Sequence, residues 1–84
     1  MSPLPKPNVR KLLARLNFTP EGDGIYCLYN DAGHPRLSFE RYYDDYIITQ
    51  YTGTRFQRSQ WDAVIPVKIP LEPLEAFLIR LTAA

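Results

Sequence analysis

The chain has 84 residues, 45% of them apolar, and a formal net charge of +1. That composition describes one small folding domain and argues against both a disordered chain and a strongly basic nucleic-acid binder. A single cysteine, Cys27, excludes an internal disulfide framework and a cysteine-based zinc cluster and is compatible with a reducing cytoplasm.

No run of about 18 apolar residues occurs, so no membrane-spanning helix is expected, and early prolines break the apolar run a secretory signal would need. A soluble cytoplasmic protein is the expectation.

The chain opens with MSPLPKP (1–7), whose three prolines at alternate positions read as an extended arm ahead of a single domain over 8–84. Asn8 is a candidate N-cap. Val9, Leu12, Leu13 and Leu16 follow at i, i+3, i+4 and i+7, the stripe of a short amphipathic helix. Residues 17–24, with Pro20, Gly22 and Gly24, read as a loop. IYCLY (25–29), RLSFERYY (36–43) and YIITQYT (46–52) have the β-branched and aromatic content of strands, and NDAGHP (30–35) is a turn cluster. TRFQRSQWD (54–62) is ambiguous between strand and loop. AVIPVKI (63–69) reads as a fourth strand, with Pro66 suiting an edge. PLEPLEAFLIRL (70–81) is a second amphipathic helix carried by Leu74, Phe77, Leu78 and Leu81.

The order α-β-β-β-β-α with short connections implies an α+β fold: a four-stranded antiparallel meander with an N-terminal and a C-terminal helix on one face. The other face is left to solvent or to a partner.

Charge distinguishes the two helices. The second has Glu72 and Glu75 at its start and Arg80 near its end, in keeping with the helix dipole. The first places Arg10 and Lys11 in its opening turn, with Lys11 and Arg15 a like-charge i,i+4 pair, each a few tenths of a kcal/mol unfavourable. Stability does not account for that choice. The functional alternative is a basic face that meets something anionic, and the bland one is a solvated face neutralised by acids from residues 21–45.

No catalytic set emerges. His34, the only histidine, lies between Gly33 and Pro35 in a turn with no nucleophile or orienting carboxylate specified beside it. Cys27 alternates with Ile25 and Tyr29 on a strand and reads as a small core residue. Asp44 and Asp45 read as solvated turn formers, lacking the ligand spacing of a calcium loop. No phosphate-binding loop, dinucleotide fingerprint or metalloprotease motif occurs. A protein that is not an enzyme and needs no cofactor or metal is expected.

What stands out is an interleaving of arginines and aromatic rings. Arg41, Tyr42, Arg55, Phe56, Arg58 and Trp61, with the basic residues Arg10, Lys11 and Arg15, form the candidate partner-binding set. Arg, Tyr and Trp are enriched at protein–protein hot spots. A non-enzymatic protein-binding module, working as adaptor, inhibitor or regulatory subunit and pairing with another protein or with itself as a homodimer, is the leading expectation. The same pattern of rings beside cations can stack and track single-stranded nucleic acid, which is the alternative.

The tyrosine-rich run FERYYDDYIITQY (39–51) leaves its register to the hairpin tip. A three-residue tip, Asp44-Asp45-Tyr46, places Leu37, Phe39, Tyr43, Ile47 and Tyr51 on the core face and Ser38, Glu40, Tyr42, Ile48 and Gln50 on the other. A two- or four-residue tip reverses the second strand. The three-residue tip gives the cleaner apolar side, so Tyr42 and Ile48 are the apolar groups expected to meet a partner.

Overall fold

A computed structural model describes residues 4–54 and 59–83. The elements run α1 (Pro7–Arg15), β1 (Thr19–Gly22), β2 (Ile25–Tyr29), β3 (Pro35–Tyr42), β4 (Asp45–Tyr51), β5 (Ser59–Pro66) and α2 (Leu71–Thr82). The strands form one antiparallel sheet in the order β1-β2-β3-β4-β5, so the fold is the expected α+β meander with one strand more than expected. The additional strand, β1, comes from the segment read as a loop. Its Pro20 and Gly22 are tolerated because it is a short edge with a register shift between them. At the other edge, β5 begins at Ser59, which resolves part of the ambiguous segment as strand. Arg55, Phe56 and Arg58 lie outside the described residues.

Helix α1 begins two residues earlier than an Asn8 cap would have it. Pro7 occupies the first turn, where its missing N–H is no loss, and Lys6 is the N-cap without a side-chain cap bond. The proline segment leading into it is tied down, since Pro5 is buried and the Leu4 carbonyl accepts a hydrogen bond from Arg41 Nη1 (3.1 Å). Helix α2 starts at Leu71 and carries Glu72 in its first turn and Arg80 in its last, as the dipole favours.

Both helices turn their apolar stripes to the same sheet face. Val9, Leu12 and Leu13 of α1 and Leu74 and Leu78 of α2 are buried in one cluster with Phe18, Leu28, Leu37, Phe39, Tyr46, Ile48 and Val67. The Phe39 and Tyr46 rings pack with centroids 4.9 Å apart at its centre. Tyr46 is fully buried, and its hydroxyl has no hydrogen-bond partner among the described residues. Between the helices, Arg15 pairs with Glu75, not with acids from residues 21–45. The pair is largely exposed and contributes no more than about 1 kcal/mol.

The register of β4 reverses the expected faces. Tyr42 pairs with Asp45, which leaves a two-residue tip of Tyr43 and Asp44. Tyr43 has φ 54°, the left-handed value that a two-residue hairpin demands at its first tip position and that glycine usually supplies. The strain, about 1–2 kcal/mol for a non-glycine residue, is offset by two local contacts. The Tyr43 ring meets Tyr42 edge-on at 4.6 Å, and its carbonyl accepts a hydrogen bond from Arg41 Nε. Tyr43 is therefore 70% exposed at the tip, not in the core. Tyr46 and Ile48 are the residues β4 buries, while Ile47 and Tyr51 face the other way. Adding β5 to the sheet favours this choice, because Tyr46 and Ile48 then stand beside Ile65 and Ala63, which pack against the same core.

Gly53 closes the far end of the same strand with φ 71°. Asn30 Nδ2 donates to its carbonyl, and a Cβ there would stand 3.1 Å from that nitrogen, so a side chain would be strained by the backbone and crowded by Asn30.

Candidate functional site

The sheet face turned away from the helices is the candidate site. Strand alternation and the observed registers place Ile25, Cys27 and Tyr29 of β2 on it, followed by Ser38, Glu40 and Tyr42 of β3. The same rule adds Asp45, Ile47, Thr49 and Tyr51 of β4, and Asp62 and Val64 of β5. One row runs straight across four strands as Ile25, Glu40, Ile47 and Val64, and the adjacent row is Cys27, Ser38, Thr49 and Asp62. None of these residues is buried. Tyr42 is 51% and Val64 64% exposed, and Tyr29 is also open.

Hydrogen bonds hold several of these groups in place. The Tyr51 hydroxyl lies 3.3 Å from Ser38 Oγ, and the Tyr29 hydroxyl donates to Glu21. That hydrogen bond to a carboxylate favours the neutral phenol and pushes the Tyr29 pKa up to about 12. Cys27 sits half-buried on this face rather than in the core. Burial, with the nearby Glu21 charge, raises its pKa against a smaller opposing contribution from Tyr29, so the thiol is a poor nucleophile.

Electrostatically the face has one sign. Glu40, Asp45 and Asp62 stand on it, and none of the residues that alternate onto it is Lys or Arg. The arginines next to its tyrosines in sequence lie on the helix side. Arg41 shares the side of Phe39, where its guanidinium bridges the Leu4 and Tyr43 carbonyls. A register shift between β2 and β3 carries Arg36 to the same side, where Nη2 donates to the Leu81 carbonyl. Among the described residues the expected combined aromatic/arginine surface is thus divided by strand alternation, with Tyr42 and the carboxylates on one side and Arg36 and Arg41 on the other.

The remaining candidates fall in three places. Ile48, expected on the partner-facing side, is 0% exposed and belongs to the core, because the two-residue tip inverts its strand. Trp61 pairs with Gln50 on the helix side of β5, at the sheet edge. Arg10 and Lys11 are exposed on α1, with Arg15 engaged by Glu75. Among the described residues of the set, Tyr42 alone lies on the uncovered face.

Ile25, Tyr29, Ile47, Tyr51 and Val64 are the other branched apolar and aromatic residues placed on that face. The signal that identifies Ile47 and Tyr51 is the pairing of Tyr42 with Asp45, which becomes visible only once the tip length is known.

His34 is held in the β2–β3 turn, its N–H donating to Asn30 Oδ1 and its carbonyl accepting from Asn30 N. Among the described residues no three His, Cys, Asp or Glu side chains gather as a metal-binding group. No helix of the described residues is long and apolar enough to cross a membrane. Set against known protein families, curated proteins and solved structures, the chain matches none.

Proposed function

We propose that the chain is a non-enzymatic protein-binding module, acting as adaptor, inhibitor or regulatory subunit in the cytoplasm, and that the uncovered sheet face is its contact surface. The observation that carries this reading is the row Ile25, Glu40, Ile47, Val64 with Tyr42 and Tyr29 beside it. It is an apolar and aromatic band on a rigid sheet, interspersed with carboxylates. Exposed aromatic and branched side chains supply burial, and fixed strands hold them without a large ordering penalty. The single sign of charge defines the partner as a protein surface with an apolar centre and lysines or arginines around it.

The same charge counts against single-stranded nucleic acid on the sheet, since a phosphate backbone would meet Glu40, Asp45 and Asp62. Among the described residues, the exposed pair Arg10 and Lys11 on α1 is left as the surface that would favour it.

The test is affinity capture from the native host, with and without nuclease, using the wild-type chain and two variants. Tyr42→Ala with Ile47→Ala removes apolar contact from the face, and Arg10→Glu with Lys11→Glu reverses the α1 charge. Expected is a protein partner retained after nuclease, lost with the face variant and kept with the helix variant. Capture that needs nucleic acid, or that is lost only with the helix variant, overturns the reading.

A further inference from the structure

The two edges of the sheet are treated differently. β1 is four residues long, contains Pro20 and is interrupted by a register shift, so it offers little to another strand. β5 is eight residues long, and among the described residues nothing pairs with its outer side. Its register shift lies at its start, at Gln60 between Ser59 and Trp61. The regular part that follows, residues 61–66, has no lysine, a single charge at Asp62, and exposed Val64 beside half-buried Ile65. A long apolar edge of this kind is a template for pairing.

The direction of each peptide group on β5 follows from its end. Val67 N donates to Asp44 O, so in the antiparallel ladder Ile65 and Ala63 also turn their backbone groups towards β4. Pro66, without an N–H, faces outward at no loss. Asp62 and Val64 therefore turn their N–H and C=O outward, where no strand of the described residues pairs with them.

We infer that β5 is a homodimerisation edge, pairing antiparallel with β5 of a second copy in a register centred on Ala63. The strand's own sequence selects both partner and register. Centring on Ala63 sets Asp62 opposite the second copy's Val64 in both hydrogen-bonded pairs, giving about four inter-chain hydrogen bonds. It also stands Trp61 beside the second copy's Ile65 on the helix side, an aromatic–branched pair of the kind sheets favour. Centring on Asp62 would oppose two carboxylates, and centring on Val64 would set the Asp62 carbonyl against Pro66, which has no N–H to give. The product is one continuous antiparallel sheet with the uncovered faces of both copies side by side. This inference concerns the edge and stands independently of what the face binds.

The experiment measures mass against concentration by light scattering, for the wild type and Val64→Pro. Proline at 64 removes an outward N–H and no β4–β5 bond, so it is expected to raise the dimer dissociation constant by about tenfold or more, with circular dichroism unchanged. In a Cys27→Ser background, oxidation of Ala63→Cys is expected to cross-link the dimer. Residues 63 face each other across a non-hydrogen-bonded pair at about 4.5 Å, within disulfide reach. Val64→Cys, diagonal to its counterpart, is expected to cross-link about tenfold more slowly. The cross-linking arm stands even if the proline variant fails to fold. A monomer at every concentration, a dimer indifferent to Val64→Pro, or equal cross-linking at 63 and 64 overturns the inference.

Discussion

The adjacent isoleucines Ile47 and Ile48 test the architecture directly, because the same chemistry is removed from opposite faces of one strand. Ile48 is 0% exposed and lies between Phe39 on β3 and Ala63 on β5, beneath the helices. Its truncation to alanine deletes buried methyl and methylene groups and leaves a cavity, a loss of about 2–5 kcal/mol. Ile47 is half-exposed on the uncovered face, between Glu40 and Val64. Alanine there loses mainly strand propensity and partial burial, roughly 1 kcal/mol or less.

In a domain of this size each kcal/mol moves Tm by about 4–8 °C. The Ile48→Ala protein should therefore melt roughly 10 °C or more below wild type, and Ile47→Ala within about 8 °C of it. Urea unfolding monitored by circular dichroism at 25 °C gives the same comparison without extrapolating from Tm. Total stability of a domain this small is on the order of 4–13 kcal/mol, so Ile48→Ala can leave it unfolded. The milder valine pair then serves, with Ile48→Val expected to lose about 0.5–1.5 kcal/mol and Ile47→Val almost nothing. Equal losses, or a larger loss at Ile47, would refute the two-residue tip and with it the assignment of the uncovered face.

Tyr46→Phe removes a hydroxyl that is buried without a partner among the described residues, while keeping the ring on Phe39. It is expected to stabilise the fold by about 1 kcal/mol in urea titration, and a loss of that size would mean that the hydroxyl is satisfied. The Tyr29–Glu21 hydrogen bond has a pH signature. Because the folded-state pKa is raised from its ordinary value of 10.0 to about 12, the contribution is fully present below pH 10.0 and is lost as pH rises through about 12. The stability difference between wild type and Tyr29→Phe should shrink over that interval. A difference unchanged up to the higher pH would refute the bond.

Local periodicity was enough for much of this protein. The stripe Val9, Leu12, Leu13 and the stripe Leu74, Leu78 identify two helices, each with a face to bury, because 3.6-residue spacing has no other economical use. The short turn clusters between apolar runs make the strands an antiparallel meander, and the division of β3 into buried Leu37 and Phe39 against open Ser38, Glu40 and Tyr42 is legible from alternation alone. The β4 faces are not. Both isoleucines and both tyrosines of that strand are apolar enough for either side, and the turn signal Asp44-Asp45 points one residue away from the tip that forms.

What selects Tyr46 and Ile48 is non-local: β5 brings Ile65 and Ala63 beside them, and the helices bring leucines above. No stretch of chain near residue 46 contains that information. The site followed the same division. Sequence placed arginines and tyrosines side by side, and the pleat of the sheet, turning neighbours to opposite faces, decided that they do not act together.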